Sequence, residues 1–301
     1  MLQNIKKWIF PLAMVVGIVA YPLVSYVAFL PPYLIFAMLL LTFCKLSPRD
    51  IHIRVAHIWL LTIQLVGSLV VYGAVYLFHP VVAQGAFICV LAPTAASAAV
   101  VTGMLGGNVP FHTSYLLLCN VAVAIASPLL FPLIGLHQEM SFWSSFLYIC
   151  RQTVPVLICP LLLAWTVRYR LPKVQKILLN YTNGPFYLWA VALVIVTGST
   201  MKFLVEQENP DYTVEIGLAA VSLILCIVQF LSGKWLGRRY GDTISCGQGL
   251  GQKNTILAIW MAQAYLNPIS SVAPAAYVLW QNIINSWQLW RKRNKTPKKG
   301  I

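Results

Sequence analysis

Long apolar runs separated by short polar stretches set the pattern of this chain. Ten can be drawn: Trp8–Ala28, Pro32–Leu46, Ala56–Phe78, Val81–Leu105, Thr113–Gly135, Phe142–Val167, Pro185–Phe203, Val214–Leu231, Trp235–Tyr265 and Val272–Trp290. Most approach the ~20 apolar residues that a helix needs to cross a bilayer. They are continuous, unlike the short alternating segments of a membrane β-barrel. The pattern predicts an all-α polytopic membrane protein of ten transmembrane helices. Connections are short, so one transmembrane domain fills the chain. The first run outlasts the apolar core of a signal peptide and lacks a small-residue cleavage site, so it reads as a retained helix.

Two of the runs are interrupted. In the fourth, A-P-T-A-A-S (Ala92 to Ser97) contains Pro93, which lacks a backbone N–H and disfavours helix just before itself. In the ninth, G-Q-G-L-G-Q-K-N-T (Gly247 to Thr255) combines three glycines with the charge of Lys253. Each glycine costs a helix ~1 kcal/mol relative to alanine, so an interruption at Gly247 to Asn254 is expected. Broken polar backbone at membrane depth is tolerated only where protein or a cavity surrounds it. The fourth and ninth runs hold matching places in two sets of five. Because five is odd, the second set enters from the opposite side. The expectation is two inverted five-helix repeats, about 8–135 and about 142–290, with broken helices 4 and 9 crossing.

Composition agrees with this class: 59% of the 301 residues are hydrophobic and 9% are charged. A net charge of +14 raises the question of nucleic acid, but its distribution is a topology signal instead. One set of connections holds Lys6, Lys7, Lys45, Arg49, Arg54, Arg168, Arg170, Lys173, Lys176, Lys234, Arg238 and Arg239, and the basic tail 291–301 adds more. The other set holds Glu139, Glu206, Glu208, Asp211 and Glu215, with Lys202 at a helix end. Both termini are therefore expected on the cytoplasmic side of a plasma or inner membrane, with the lipid bilayer as partner and no nucleic acid. The tail reads as a topology anchor that can also meet anionic headgroups.

Catalytic and metal motifs fail. The seven cysteines show no paired spacing, and His52, His57, His79, His112 and His137 form no ligand cluster. G-Q-G-L-G is neither a dinucleotide fingerprint nor a Walker A loop. No nucleophile elbow is present, and no pair of acids shares a membrane run, so an enzyme is not expected.

Arg151 and Lys253 remain, each inside an apolar run, where a central cation costs at least ~2.5–3.5 kcal/mol. Asp242 lies about 16 Å from Lys253 if the stretch between them is helical, too far for an ion pair.

The run A-P-T-A-A-S-A-A-V-V-T-G-M-L-G-G-N (Ala92 to Asn108), with G-Q-K-N-T-I-L-A (Gly251 to Ala258) and W-Q-N-I-I-N-S (Trp280 to Ser286), resembles the signature of the bile acid:sodium symporter family. The resemblance implies a panel of helices 1, 2, 6 and 7 and a core of helices 3–5 and 8–10, with transport by movement of one against the other. At the family's sodium-ligand positions this chain has Ala98, Ala99, His112, Leu116, Gly249 and Lys253, and only the helix-3 glutamine is kept, as Gln64. A site that has lost its carboxylate and gained an ammonium implies no sodium binding in the family's manner. Lys253 would replace the ion charge, held by helix C-terminal carbonyls. A lysine that released its proton there would couple transport to protons, and no other cofactor is expected.

Two readings stand for Lys253: a structural plug of the vacated site, or a contact for substrate or proton. Two stand for Arg151: packing on backbone carbonyls, or a place in the site. Two central cations without a central acid point to a small organic anion, an amphipathic carboxylate or sulfonate. Thr94, Ser97, Thr102, Gln248, Gln252, Asn254 and Asn282 are polar candidates near the crossing, and each also fits ordinary interhelical bonding. The alternatives are a sodium-coupled symporter like the parent family, a metalloid efflux carrier, or a non-transporting membrane receptor. The metalloid reading is disfavoured because Cys89 lies four residues before Pro93.

Overall fold

Apolar runs punctuated by proline and glycine produce a chain that is helical along its described length. The computed structural model describes residues 12–45, 51–135, 141–181, 184–206 and 210–295. Lys6, Lys7, Arg49, His137, Glu139, Glu208, Lys298 and Lys299, used above to orient the chain or test for metal, lie outside them.

Residues 12–19 are helical and lead into α1 (Tyr21–Val24), α2 (Pro31–Phe43), α3 (Val55–Tyr76), α4 (Pro80–Leu91), α5 (Ser97–Met104), α6 (Val109–Ile134) and α7 (Phe142–Leu157). Then follow α8 (Cys159–Arg170), α9 (Pro172–Asn180), α10 (Gly184–Val205), α11 (Tyr212–Tyr240), α12 (Thr243–Gly251), α13 (Thr255–Tyr265) and α14 (Val272–Lys295). Five stretches are long and apolar enough to cross a membrane: α3, α6, α7 with α8, α10 from Tyr187, and α11. The shorter apolar helices α2, α4 and α13 accompany them. Large apolar side chains cover the surface, among them Val19, Leu23, Leu77, Phe78 and Ile216. Such a surface suits lipid, and with the five spans it makes this a multi-pass membrane protein.

Tertiary structure moves several boundaries. α11 continues through the gap expected between Leu231 and Trp235, so Lys234, Arg238 and Arg239 ride on its last turns. Arg238 and Arg239 lie in its last turn, where cations complement the negative end of the helix dipole. Gly241, with φ 75°, then ends the helix in a left-handed turn. The sixth run divides at Ile158, just ahead of Pro160. Lys173 and Lys176, expected in a connection, lie on α9. The first residues of the expected tail continue α14 as far as Lys295.

The largest revision falls on the glycine run. Gly247, Gly249 and Gly251 all lie within helical α12, and the break is confined to the residues after it. Packing overrides propensity here. A methyl group on Gly249 would come within 2.9 Å of the Tyr115 ring, and one on Gly251 would run into the Phe230 ring. These glycines let α6 and α11 sit directly on the backbone of α12.

Candidate functional site

α4 and α12 are short helices that stop inside the protein, and each leaves its last carbonyls without intrahelical partners. The chain resumes in α5 after Pro93 and in α13 after Lys253. The two breaks meet side by side. Thr94 and Lys253 form an antiparallel bridge, in which Ala95 N donates to Gln252 O at 3.0 Å and Asn254 N donates to Pro93 O at 2.8 Å. It is the only β pairing among the described residues.

Side chains then cap each helix end. Thr94 Oγ1 donates to Gly249 O at 2.6 Å, and Lys253 Nζ donates to Val90 O at 2.8 Å. The other late carbonyls of α4 are also satisfied. Gln229 Nε2 reaches Cys89 O, while Gln64 Nε2 reaches Leu91 O at 2.8 Å and Ala92 O at 3.0 Å. On α12, Tyr277 Oη donates to Gly251 O at 2.9 Å. Behind each break stands a glutamine–tyrosine pair. Tyr115 Oη donates to Gln64 Oε1 at 2.6 Å, and Gln229 Nε2 donates to Tyr277 Oη at 3.1 Å.

Lys253 is only 1% exposed. Among the described residues no carboxylate pairs with it. Asp242, excluded above on distance, instead lies 3.5 Å from Arg54. The charge of Lys253 thus faces the negative end of the α4 dipole, which stabilises a partly buried cation by up to ~2 kcal/mol. Its charge-assisted hydrogen bond adds ~1.5–3 kcal/mol.

The polar candidates divide on their placement. Thr94, Gln252, Lys253 and Asn254 form the bridge, Gln64 caps α4, and Ser97 Oγ accepts from Gln252 Nε2 at 3.0 Å. Ser97 is exposed, so this edge of the crossing reaches the surface. Gln248 lies on α12 one turn before the break and donates to Asn285 Oδ1 at 2.9 Å. Gln248 Oε1, Gln252 Oε1 and Thr255 Oγ1 are buried acceptors without a hydrogen-bond partner among the described residues.

Three candidates are not brought to the crossing. Asn282 turns to its own helix and donates to Val278 O. Thr102 lies at the far end of α5, against Gly107, rather than at the break. Arg151 is exposed on α7, a helix packed against α6, α8 and α2, and bonds to none of the crossing residues.

The residue that Asn282 was expected to be is Gln281, whose Oε1 accepts from Lys253 N at 2.9 Å. Helical spacing carries the signal: Tyr277, Gln281 and Asn285 repeat every four residues and are all buried, whereas Asn282 lies about 100° further round the helix. Gln229, the counterpart of Gln64, had a weaker signal, a lone amide in an apolar run.

The geometry also bears on ion binding. At Gly249, where the resemblance places a carboxylate, the Tyr115 ring occupies the direction a side chain would take. His112 is buried with Nδ1 3.3 Å from Ser245 O, and Leu116 is buried and apolar. Compared with models of known protein families and with curated proteins, the chain matches none.

Proposed function

We propose that this protein is a secondary transporter of a small organic anion, working by alternating access in the manner of the bile acid:sodium symporters that its motifs resemble. Two inverted five-helix repeats would place the crossing near the midplane of a plasma or inner membrane, with both termini cytoplasmic. Panel helices would move against the core that carries the crossing. The observation that carries this reading is the reciprocal crossing of α4–α5 with α12–α13, built around a buried ammonium that has no carboxylate partner among the described residues. Broken helices meeting in this way mark substrate and ion sites in transporters. An ammonium has three N–H donors, and one meets Val90 O. The others remain to serve an anionic group that approaches along the Ser97–Gln252 edge.

Sodium coupling is disfavoured by the loss of the carboxylate and by the Tyr115 ring against Gly249. Lys253 takes the place of the ion charge, and a proton exchanged there would replace sodium as the coupling ion. The test is uptake of a labelled bile-acid sulfonate into proteoliposomes under inward sodium or choline gradients. Saturable uptake of equal rate in both is expected. Sodium-driven accumulation would overturn the coupling reading, and absence of uptake across a panel of organic carboxylates and sulfonates would overturn the substrate class.

A second reading gains one observation. Cys119 Sγ accepts from Thr94 N at 3.3 Å, so a thiol from α6 stands at the break after all. This supports a metalloid carrier. Arsenite efflux that is lost in Cys119→Ser, without organic-anion uptake in the wild type, would select it.

A further inference from the structure

Arg151 is unexplained by the crossing. It sits on the α7–α8 span, exposed, and no hydrogen bond or ion pair to it is found among the described residues. The chain gives it a particular depth. Trp143, 69% exposed beside Phe142, has the placement of an interfacial aromatic. Arg151 follows eight residues later, ~12 Å down the helix. Helical side chains lean toward the helix N-terminus, and a long cationic stem extends along apolar surface until its head is wet. Both tendencies carry the guanidinium back up toward Trp143, whose ring marks the headgroup level where lipid phosphates lie.

Beside it an apolar slot of about 290 Å³ separates α7 from α6. Phe146, Cys150 and Val154 form one wall, an every-fourth-residue stripe that runs from near Trp143 into the membrane; Ala124, Ile125 and Pro128 form the other. Arg151 immediately follows Cys150 of that stripe. With its head carried back toward Trp143, Arg151 stands over the upper part of a slot that continues past Val154 to Ile158, so a phosphate and the acyl chain beneath it would meet both features.

We propose that α6 and α7 hold one anionic phospholipid, with its phosphate on Arg151 and an acyl chain in this slot. A guanidinium matches a phosphate with paired hydrogen bonds, whereas a lysine presents only a point charge. The fixed positive charge of a choline headgroup weakens the charge complementarity, so selection for net negative headgroups follows. This site is independent of transport at the crossing.

Native mass spectrometry of the full chain, released from micelles containing equal phosphatidylglycerol and phosphatidylcholine, tests it. One phosphatidylglycerol should be retained about tenfold over phosphatidylcholine, and Arg151→Gln should abolish the preference while Arg151→Lys keeps part of it. Val154→Trp, which fills the slot, should remove retention of either lipid. Alkylation of Cys150, read from its peptide, should slow in phosphatidylglycerol and not in phosphatidylcholine. Equal retention of both lipids by the wild type, an unchanged preference in Arg151→Gln, or displacement of phosphatidylglycerol by free oleate would each overturn the proposal.

Discussion

Thr94 and Lys253 cap each other's helices. Thr94 Oγ1 binds the carbonyl of Gly249, four residues before Lys253, and Lys253 Nζ binds the carbonyl of Val90, four residues before Thr94. The flanking backbone bonds obey the same exchange, Ala95 to Gln252 and Asn254 to Pro93. The contact is thus two-fold in its pattern, yet its two members are a hydroxyl and an ammonium. The arrangement is symmetric, and the charge is not.

That asymmetry separates stability from function. Thr94→Val removes one hydroxyl and leaves Gly249 O buried without its cap, which should cost about 1–3 kcal/mol. Lys253→Met also loses a cap, but it relieves the burial of an ammonium, a penalty of several kcal/mol. Thr94→Val should therefore lower the unfolding temperature in detergent more than Lys253→Met does. The reverse order would mean that the ammonium is held for stability.

Transport should respond in the opposite sense. Lys253→Gln keeps a polar side chain of similar reach and removes the charge. Anion uptake should fall at least about tenfold, equivalent to ~1.4 kcal/mol, with little change in unfolding temperature. Uptake at the wild-type rate would remove Lys253 from the mechanism.

On the neighbouring helix, Gln281→Leu withdraws the acceptor of Lys253 N–H from a buried site and should cost about 1–3 kcal/mol. Asn282→Leu alters a residue bonded only within its own helix and should change stability by about 0.5 kcal/mol or less. Chemical unfolding of the two variants side by side decides whether the Tyr277–Gln281–Asn285 face carries the contact.

Gly251→Ala sets two effects against each other. Alanine favours a helix by ~1 kcal/mol, but the added methyl overlaps the Phe230 ring, and overpacking costs about 1–3 kcal/mol. Net destabilisation is expected, and it should shrink in a Phe230→Ala background. Equal effects in both backgrounds would show that the ring is not the obstacle.

From the sequence by itself came the membrane class, the interruption at Pro93 and the two cations, Arg151 and Lys253, set inside apolar runs. These rest on local quantities: apolar run length, a missing N–H, a charge where none is tolerated. Where the second break falls was not local. Three glycines read as helix breakers because propensity counts only the chain's own backbone, and α12 stays helical because Tyr115 and Phe230 pack onto it. Pairing was equally hidden. That Lys253 would reach Val90, 163 positions away, depends on where two helices stop in space. The choice of Gln281 over Asn282 lay within reach of helical spacing, since only one of them shares a face with Tyr277. The separation of Arg151 from Lys253 did not, because an apolar run fixes the depth of a charge and says nothing of its direction. Only packing decides which neighbour a buried group faces, and that choice made one of the two membrane cations a cap at the crossing and left the other on the surface.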